Sequence, residues 1–579
     1  PRRSSPGTVA ELVTKRVVQV VTEVAALSRP FDYLVTDATK RVELGDRVRV
    51  NLNHRSVRGW VVGEGEVDPA RELKPLGKWL GWGPPPSMLE ITRWAAWRWY
   101  GPWARFLATA SSSRVVSELP KPPAKSALDA TSSRAVRQTA PGVISMAPTV
   151  DPLGLVLGCY AATRERPGSL LVVVPHEAWA RRLRDRLARR GLAVAGGEHW
   201  AQARAGWPII VATRAGAFSP TPRLAGALVL DADDESLHSE SAPTWNAAEV
   251  IRERCRQDEA PCWLTSVLPS PVLSGENEVG RVGEPRDWPR LIVVDRRQGD
   301  PHDGALSQEA LRAAHRALDG GEPVAVAVIL QRLGSGRLLA CVRCGELASC
   351  AVCAMAEHEA EGRLVCPEGH DARAMFCRSC GATKFRSVRS GVTTLARDVA
   401  LQLGRSVTEL TAKSSTDELE RIVVGTEAVL SRVRRAGLVV FADVDQYLLA
   451  SRASARRQAL VAIARAGRLV GSRGDARGEV LVQTRRPDDL VLECVKRGDV
   501  ERLRLDEIEV ARTLGLSPFA ARGRVSGDDA AAFVARLPAQ VRVRAAGDAY
   551  VLSAPDVATL ANALRETPRL DGALRVAIE

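Results

Sequence analysis

The stretch WPIIVATRAGAFSPTPRLAGALVLDADD, Trp207 to Asp234, holds two near-continuous apolar runs, WPIIVAT and GALVLDA, separated by turn-forming residues. Short runs that are apolar at consecutive rather than alternate positions suit strands buried on both faces, as in parallel sheets covered by helices. SLLVVVP (169–175) and CWLTSV (262–267) are further runs of this kind, and HEAWARRLRDRLARR (176–190) reads as a helix. Buried strands alternating with helices predict a parallel α/β lobe. RLIVVD (290–295), PVAVAVIL (323–330), RIVVGTEAVL (421–430), AGLVVFADVD (436–445) and GEVLVQT (478–484) predict a second one.

The flanks differ. Residues 17–62 contain the short strand-like runs RVVQVVTEV, FDYLV, DRVRVNL and RGWVVGE, punctuated by turn residues, and predict a small β-rich unit. ITRWAAWRWYGPWARFL (91–107) reads as helix, with a break expected at Gly101-Pro102. Residues 111–142 are rich in Ser, Pro and Ala and predict a mobile linker. The fold expected is therefore multidomain α/β. A β-rich N-terminal domain (1–110) and the linker (111–142) precede a first lobe (143–285). A second lobe follows in two parts (286–340 and 386–488) around a cysteine-rich insertion (341–385), and an α+β C-terminal domain (489–579) ends the chain.

A length of 579 residues suits about three to five domains. The formal net charge of +13 favours an anionic partner, most often nucleic acid, although arginine on a solvated surface would give the same excess. No apolar run is long enough to span a membrane, and PRRSSPGTVAELVTKR at the N-terminus lacks the apolar core of a secretory signal. Cys159, Cys255, Cys262 and Cys494 are scattered singly and read as buried free thiols, so a reducing cytoplasmic compartment is expected.

The other seven of the eleven cysteines fall between Cys341 and Cys380. Cys341/Cys344, Cys350/Cys353 and Cys377/Cys380 are C-x2-C pairs, and Cys366 is followed at a slightly longer spacing by His370. A C-x2-C turn brings two sulfurs to one tetrahedral zinc, and Gly345 and Gly381 free the backbone for such a turn. Four pairs of ligands make two closed, structural sites with no open position for water. Redox dithiol chemistry and an iron–sulfur cluster are the competing readings. His358 competes with His370 for the eighth position.

Four ligand pairs nested in a second helicase-type lobe resemble the bacterial primosomal replication-restart family, that of primosomal protein N-prime. RPFDYLV with LGDRVRV resembles the family's domain that captures the 3′ end of a nascent strand, and LSPFAARGRV resembles its C-terminal domain. The resemblance implies two RecA-like helicase lobes. It implies one zinc on Cys341, Cys344, Cys377 and Cys380, and another on Cys350, Cys353, Cys366 and His370, where His370 replaces the family's usual cysteine. It further implies that Phe31, Asp32 and Tyr33 line a pocket for the terminal nucleotide and that Lys74 meets backbone phosphate. An aromatic ring stacks on any base, and a carboxylate accepts from a 3′-hydroxyl while repelling a 3′-phosphate. Phe31 and Tyr33 also read as ordinary strand core. Asn53 stands in place of the family's turn glycine.

The motor motifs depart from the family. Where a glycine-rich loop ending in Gly-Lys-Thr/Ser would cradle phosphates, the chain has SMAPTVDPLGLVLGCYAAT (145–163), which contains no lysine. The family's acidic DEEH motif reads Asp231-Ala232-Asp233-Asp234. Asp231, Asp233 and Asp234 suit a solvated strand end better than a nuclease-like magnesium site. Thr265 begins TSVLPS, Gln331 to Gly334 replace an NRRG-like strand end, and Arg465 and Arg468 persist in AIARAGR. Seven arginines between Arg452 and Arg477 suit DNA backbone contact or a solvated helix face.

The function expected is a replication-restart initiator that recognises branched or forked DNA. Its expected partners are primosome proteins, the replicative helicase loader and single-stranded DNA-binding protein, with no membrane. It carries two structural zinc ions and no working ATP/Mg2+ site, and resides in the cytoplasm with the nucleoid. An ATP-dependent 3′-to-5′ helicase with a divergent nucleotide site is the alternative, and a zinc-stabilised interaction platform is a third class.

Overall fold

The computed structural model describes the chain except residues 1–15, 25–28, 67–71, 298–303, 331–338, 353–354, 367–369, 388–390, 412–413, 415–417, 450–453, 476, 569–573 and 579. Two compact units divide it. One comprises Pro1–Val143, Pro152–Thr265 and Ala511–Glu579, the other Ile144–Asp151 and Ser266–Val510.

The first unit opens with five antiparallel strands, β1 (Val17–Thr22), β2 (Phe31–Leu34), β3 (Arg47–Leu52), β4 (Arg55–Gly65) and β5 (Lys78–Gly81), in the order β2-β1-β4-β3-β5. A bridge between Leu34 and Pro75 joins β2 to the chain leading into β5, so the sheet curls back towards its own start. Val18, Val20, Val48, Val50, Val61 and Leu76 fill its interior. The β3–β4 hairpin has two central residues, Asn53 and His54, with φ of 47° and 63°. Positive φ at both is the conformation that matches strand twist in a two-residue hairpin, and asparagine tolerates it nearly as well as glycine.

The tryptophan-rich stretch folds as helices Pro86–Arg98 and Trp103–Thr109. The break falls at the expected place, with Tyr100 in the left-handed region and Pro102 capping the second helix. The first lobe follows, with parallel strands in the order Cys262–Ser266, Leu224–Val229, Ser169–Val173, Ile209–Ala212, Val194–Gly196. Every residue of its three middle strands is buried, which is why their sequences show no alternation. The C-terminal strands Arg542–Ala546, Ala549–Ala554, Ala521–Ser526 and Arg575–Ile578 form an antiparallel sheet in that order.

Residues 111–142, whose composition predicts a mobile linker, lie against folded structure in this unit. Trp82 N donates to Val116 O (2.8 Å), Tyr160 Oη to Ser126 O (2.9 Å) and Arg137 N to Gly154 O (2.9 Å). A Cβ at Gly158 would stand 1.9 Å from Arg137 O, so the helix Leu153–Thr163 admits this strap only because its facing residue is glycine.

The second unit is a six-stranded parallel sheet, ordered Arg290–Asp295, Glu479–Thr484, Ala436–Phe441, Val324–Ile329, Ile422–Gly425, Thr408–Leu410. Its core gathers Val326, Val328, Leu438, Val440 and Leu481 with helix residues such as Leu395 and Val399. The cysteine-rich insertion leaves this sheet through Leu339–Cys341 and returns through Phe385–Ser387, and these two short strands pair antiparallel. Within it, His358–Ala360, Arg363–Val365 and Arg373–Ala374 form a three-stranded sheet. No helix among the described residues is long and apolar enough to cross a membrane.

Candidate metal clusters and DNA-end site

The insertion folds its cysteines into two groups. The Sγ atoms of Cys341, Cys344, Cys377 and Cys380 lie within 4.8 Å of one another, as do the ligand atoms of Cys350, Cys366 and His370. Cys341–Cys380 and Cys344–Cys377 are 3.6 and 3.4 Å apart, far beyond a disulfide bond. Four thiolates at about 2.3 Å from one zinc would stand about 3.8 Å apart, so the cluster is close to that tetrahedron. In the second group His370 Nδ1 lies 3.6 Å from Cys350 Sγ and 3.4 Å from Cys366 Sγ. These are also the edges of a mixed sulfur–nitrogen tetrahedron. Cys353 lies outside the described residues, and His358 sits in a strand paired with Val365, apart from the group.

Local backbone explains why these residues converge. Gly345 N donates to Cys341 O (2.9 Å) and Gly381 N to Cys377 O (2.8 Å), with both glycines at φ near 70°. Each C-x2-C-G segment thus makes the same tight turn, and a side chain at either glycine would be strained. Burial opposes ionisation of Cys341. The backbone N–H groups of Cys344 and Arg343 and the neighbouring thiols nevertheless bring its pKa down to about 7. Burial and those same thiols push Cys344 up to about 12. One thiolate suppresses the next, so four together call for a cation. Cysteine clusters that could hold metal ions are therefore part of this fold. Beside them Glu357, 2% exposed, receives Arg373 through Nε and Nη2.

The N-terminal candidates converge at one edge of the curled sheet. Leu34 N donates to Lys74 O (2.9 Å) and Leu76 N to Leu34 O (2.8 Å), which lays Lys74 beside β2. Phe31 and Asp32 are half-buried there, and the Arg29 guanidinium lies 5.6 Å from the Phe31 ring centroid. Alternation along β2 puts Asp32 on the outer face and turns Phe31 and Tyr33 inward, Phe31 packing in part against the core that holds Tyr33. Tyr33 goes deepest. It is buried in the interior, its hydroxyl donates to Asn51 O (3.2 Å), and burial raises its pKa. The structure therefore puts Asp32 and the exposed Lys74 at the β2 edge, leaves Phe31 half-buried against the core, and gives Tyr33 the packing role that its strand position also allowed.

Asp231 to Asp234 follow the strand Leu224–Val229. Asp231, two residues past that strand, has φ 49°, and Ala232 N donates to Thr265 O (2.7 Å). Asp233 is half-buried. Asp234 is buried and accepts from Ser236 N (2.9 Å) and Ser236 Oγ (2.7 Å), so its carboxylate caps the next turn. In the second unit, residues 147–151 belong to the lysine-free stretch 145–163. Val150 is buried, a Cβ on Gly283 would lie 2.7 Å from both Ala147 and Val150, and Arg468 Nε donates to Pro148 O (3.1 Å). Arg465 is half-buried on the helix Ala455–Val470. Gln331 to Gly334 and Arg452 lie outside the described residues.

Several members of the arginine-rich stretch have partners within the chain. Arg456 meets Asp506 (3.0 Å), Arg457 pairs with Glu507 and donates to Leu268 O, and Arg473 donates to Lys496 O and Val495 O (2.7 and 2.8 Å). Sequence showed the charge but not its partners, which come from distant carbonyls and from a helix some fifty residues on.

The sheet carrying Phe31, Asp32 and Lys74 decides the relationship. Residues 19–112 match the family model described as the 3′DNA-binding domain (3′BD) of PriA. The chain is a sequence relative of the replication restart protein PriA. PriA of Rickettsia prowazekii (strain Madrid E) is 23% identical over 346 residues, which cover 54% of this chain and 52% of that protein. PriA of Thermotoga maritima is 25% identical over 337 residues, covering 54% and 45%. The probable PriA of Mycobacterium bovis is 32% identical over 220 residues, covering 34% and 32%. The chain spans about half the length of the curated PriA relatives it matches.

Proposed function

We propose that this chain acts in replication restart by binding branched DNA, holds two structural zinc ions, and does not hydrolyse ATP. The observation that carries the reading is that Lys74 is laid beside β2, the strand of Phe31 and Asp32, within the segment that matches a 3′ DNA-binding domain. There Phe31 would stack on the terminal base, Asp32 would accept from the 3′-hydroxyl, and Lys74 would meet the adjoining phosphate.

Cys341, Cys344, Cys377 and Cys380 would hold one zinc, and Cys350, Cys353, Cys366 and His370 the other. Closed sites of this kind supply folding energy rather than chemistry. The case against ATP hydrolysis rests on the loop 147–151. It has no lysine to meet phosphate, its Pro148 carbonyl is taken by Arg468, and its Val150 is buried. Fork recognition would then serve to assemble primosome proteins, the helicase loader and single-stranded DNA-binding protein.

The test uses purified protein with labelled forks. Tighter binding to a fork with a 3′-hydroxyl than to one with a 3′-phosphate, together with no DNA-stimulated ATP turnover, is expected. Turnover that disappears on Asp231→Ala would overturn the ATP part. Equal affinity for the two ends would overturn the DNA-end part.

A further inference from the structure

Gln19 of β1 lies directly opposite Asp32 of β2 and opposite Gly63 of β4, so these three share one face of the sheet. Both polar side chains fold over β4 at positions that lack a Cβ. An added Cβ on Gly63 would lie 3.1 Å from Gln19 Oε1, and one on Gly65 would lie 3.0 Å from Asp32 Oδ1 and 2.7 Å from Val17 Cγ1. Neither glycine has positive φ, so the backbone would accept any residue and the need is for space alone. Positions two apart on a strand are separated by about 6.6 Å. The two polar side chains therefore reach β4 at successive positions of the same face.

We propose that Gln19 is a second recognition residue for the 3′ terminus, its amide N–H donating to the 3′-oxygen whose proton Asp32 accepts, with Gly63 and Gly65 keeping the seat open. A hydroxyl both donates and accepts, while a carboxylate only accepts. Asp32 alone would leave the hydroxyl oxygen without a donor, and Gln19 supplies it. A site that satisfies both halves of a hydroxyl penalises an end lacking it, because its own polar groups are then unpaired. The inference rests on reading the β2 edge as the 3′-end pocket.

The test measures fluorescence anisotropy of the full chain on 5′-labelled single strands ending in 3′-hydroxyl, 3′-deoxy or 3′-phosphate. Gln19→Ala and Gly63→Ala are each expected to weaken binding to the 3′-hydroxyl strand about fivefold to tenfold, while barely changing the 3′-deoxy strand. Gln19→Glu, which keeps the shape and removes the donor, covers the case in which alanine disturbs the fold, and it should lose the hydroxyl preference as well. Loss of preference in Asp32→Asn, with full preference kept in Gln19→Ala and Gln19→Glu, overturns this inference and leaves the pocket standing. Loss in Gln19→Ala with no change in Gly63→Ala overturns the glycine seat. Preference kept in Asp32→Asn overturns the pocket itself.

Discussion

Replacing Glu357 by alanine should loosen the cysteine-rich insertion without touching a ligand. Glu357 is 2% exposed, and the Arg373 side chain that it receives is 14% exposed. Arg373 Nη1 also donates to Phe376 O (2.6 Å), and its guanidinium lies 5.7 Å from the Phe376 ring centroid, so the cation has reason to remain when its partner is gone. Removing one member of a buried pair costs about 3–5 kcal/mol because the other charge is left uncompensated. Arg373 keeps some contact with water, which places the expected cost near the lower end, about 3 kcal/mol. That corresponds to roughly a hundredfold rise in local opening. Hydrogen exchange should quicken across the strands His358–Ala360, Arg363–Val365 and Arg373–Ala374, and metal should pass to a competing chelator faster. Arg373→Met added to Glu357→Ala should recover most of the loss, since no buried charge then remains. Unchanged exchange in the single variant would refute the reasoning, as would a double variant no better than the single.

Further outcomes can be checked directly. Elemental analysis should find two zinc ions per chain, falling to one in His370→Ala and staying at two in His358→Ala. Arg457→Ala should lower the melting temperature while leaving fork affinity unchanged, because its head is spent on Glu507 and Leu268 O; a selective loss of DNA binding in titrations would contradict this. Burial and the adjacent Asp443 push Asp445 up to about 7, above its ordinary carboxylate range. Between about pH 4 and 7 the folded chain therefore holds a proton that the unfolded chain releases, so this group's contribution to stability falls as pH rises through that window. Melting curves of Asp445→Asn against pH should be flatter there than those of the unaltered chain.

Both parallel sheets were legible because strands buried on two faces leave continuous apolar runs, such as SLLVVVP and AGLVVFADVD. The two cysteine groups were legible because C-x2-C spacing is itself geometry. What escaped is long-range. The bridge from Leu34 to Pro75 depends on how the small sheet curls, and so does the inward turn of Tyr33, which alternation along β2 alone could not distinguish from an outward one. The strap at 111–142 has the composition of a flexible tether. It is seated because Gly154 and Gly158 make room for its backbone, and neither glycine stands out within a helix of small and apolar residues. Charge left its partners unread. Arg457 and Arg473 meet carbonyls and a carboxylate brought in by the fold, which charge alone does not show.

The insertion enters and leaves its host sheet side by side, with Leu339 opposite Ser387 and Cys341 opposite Phe385. Its two ends thus meet across a single ribbon rung, and the first cysteine group sits at that neck, with Cys341 contributed by the entering strand. A segment attached in this way is a cassette. It could be excised and the ribbon closed by a short hairpin turn, or grafted onto another sheet edge, without lengthening any strand of the host. Metal at the neck would act as the clasp of that cassette, and a protease should find the stem far easier to cut once the clasp is stripped.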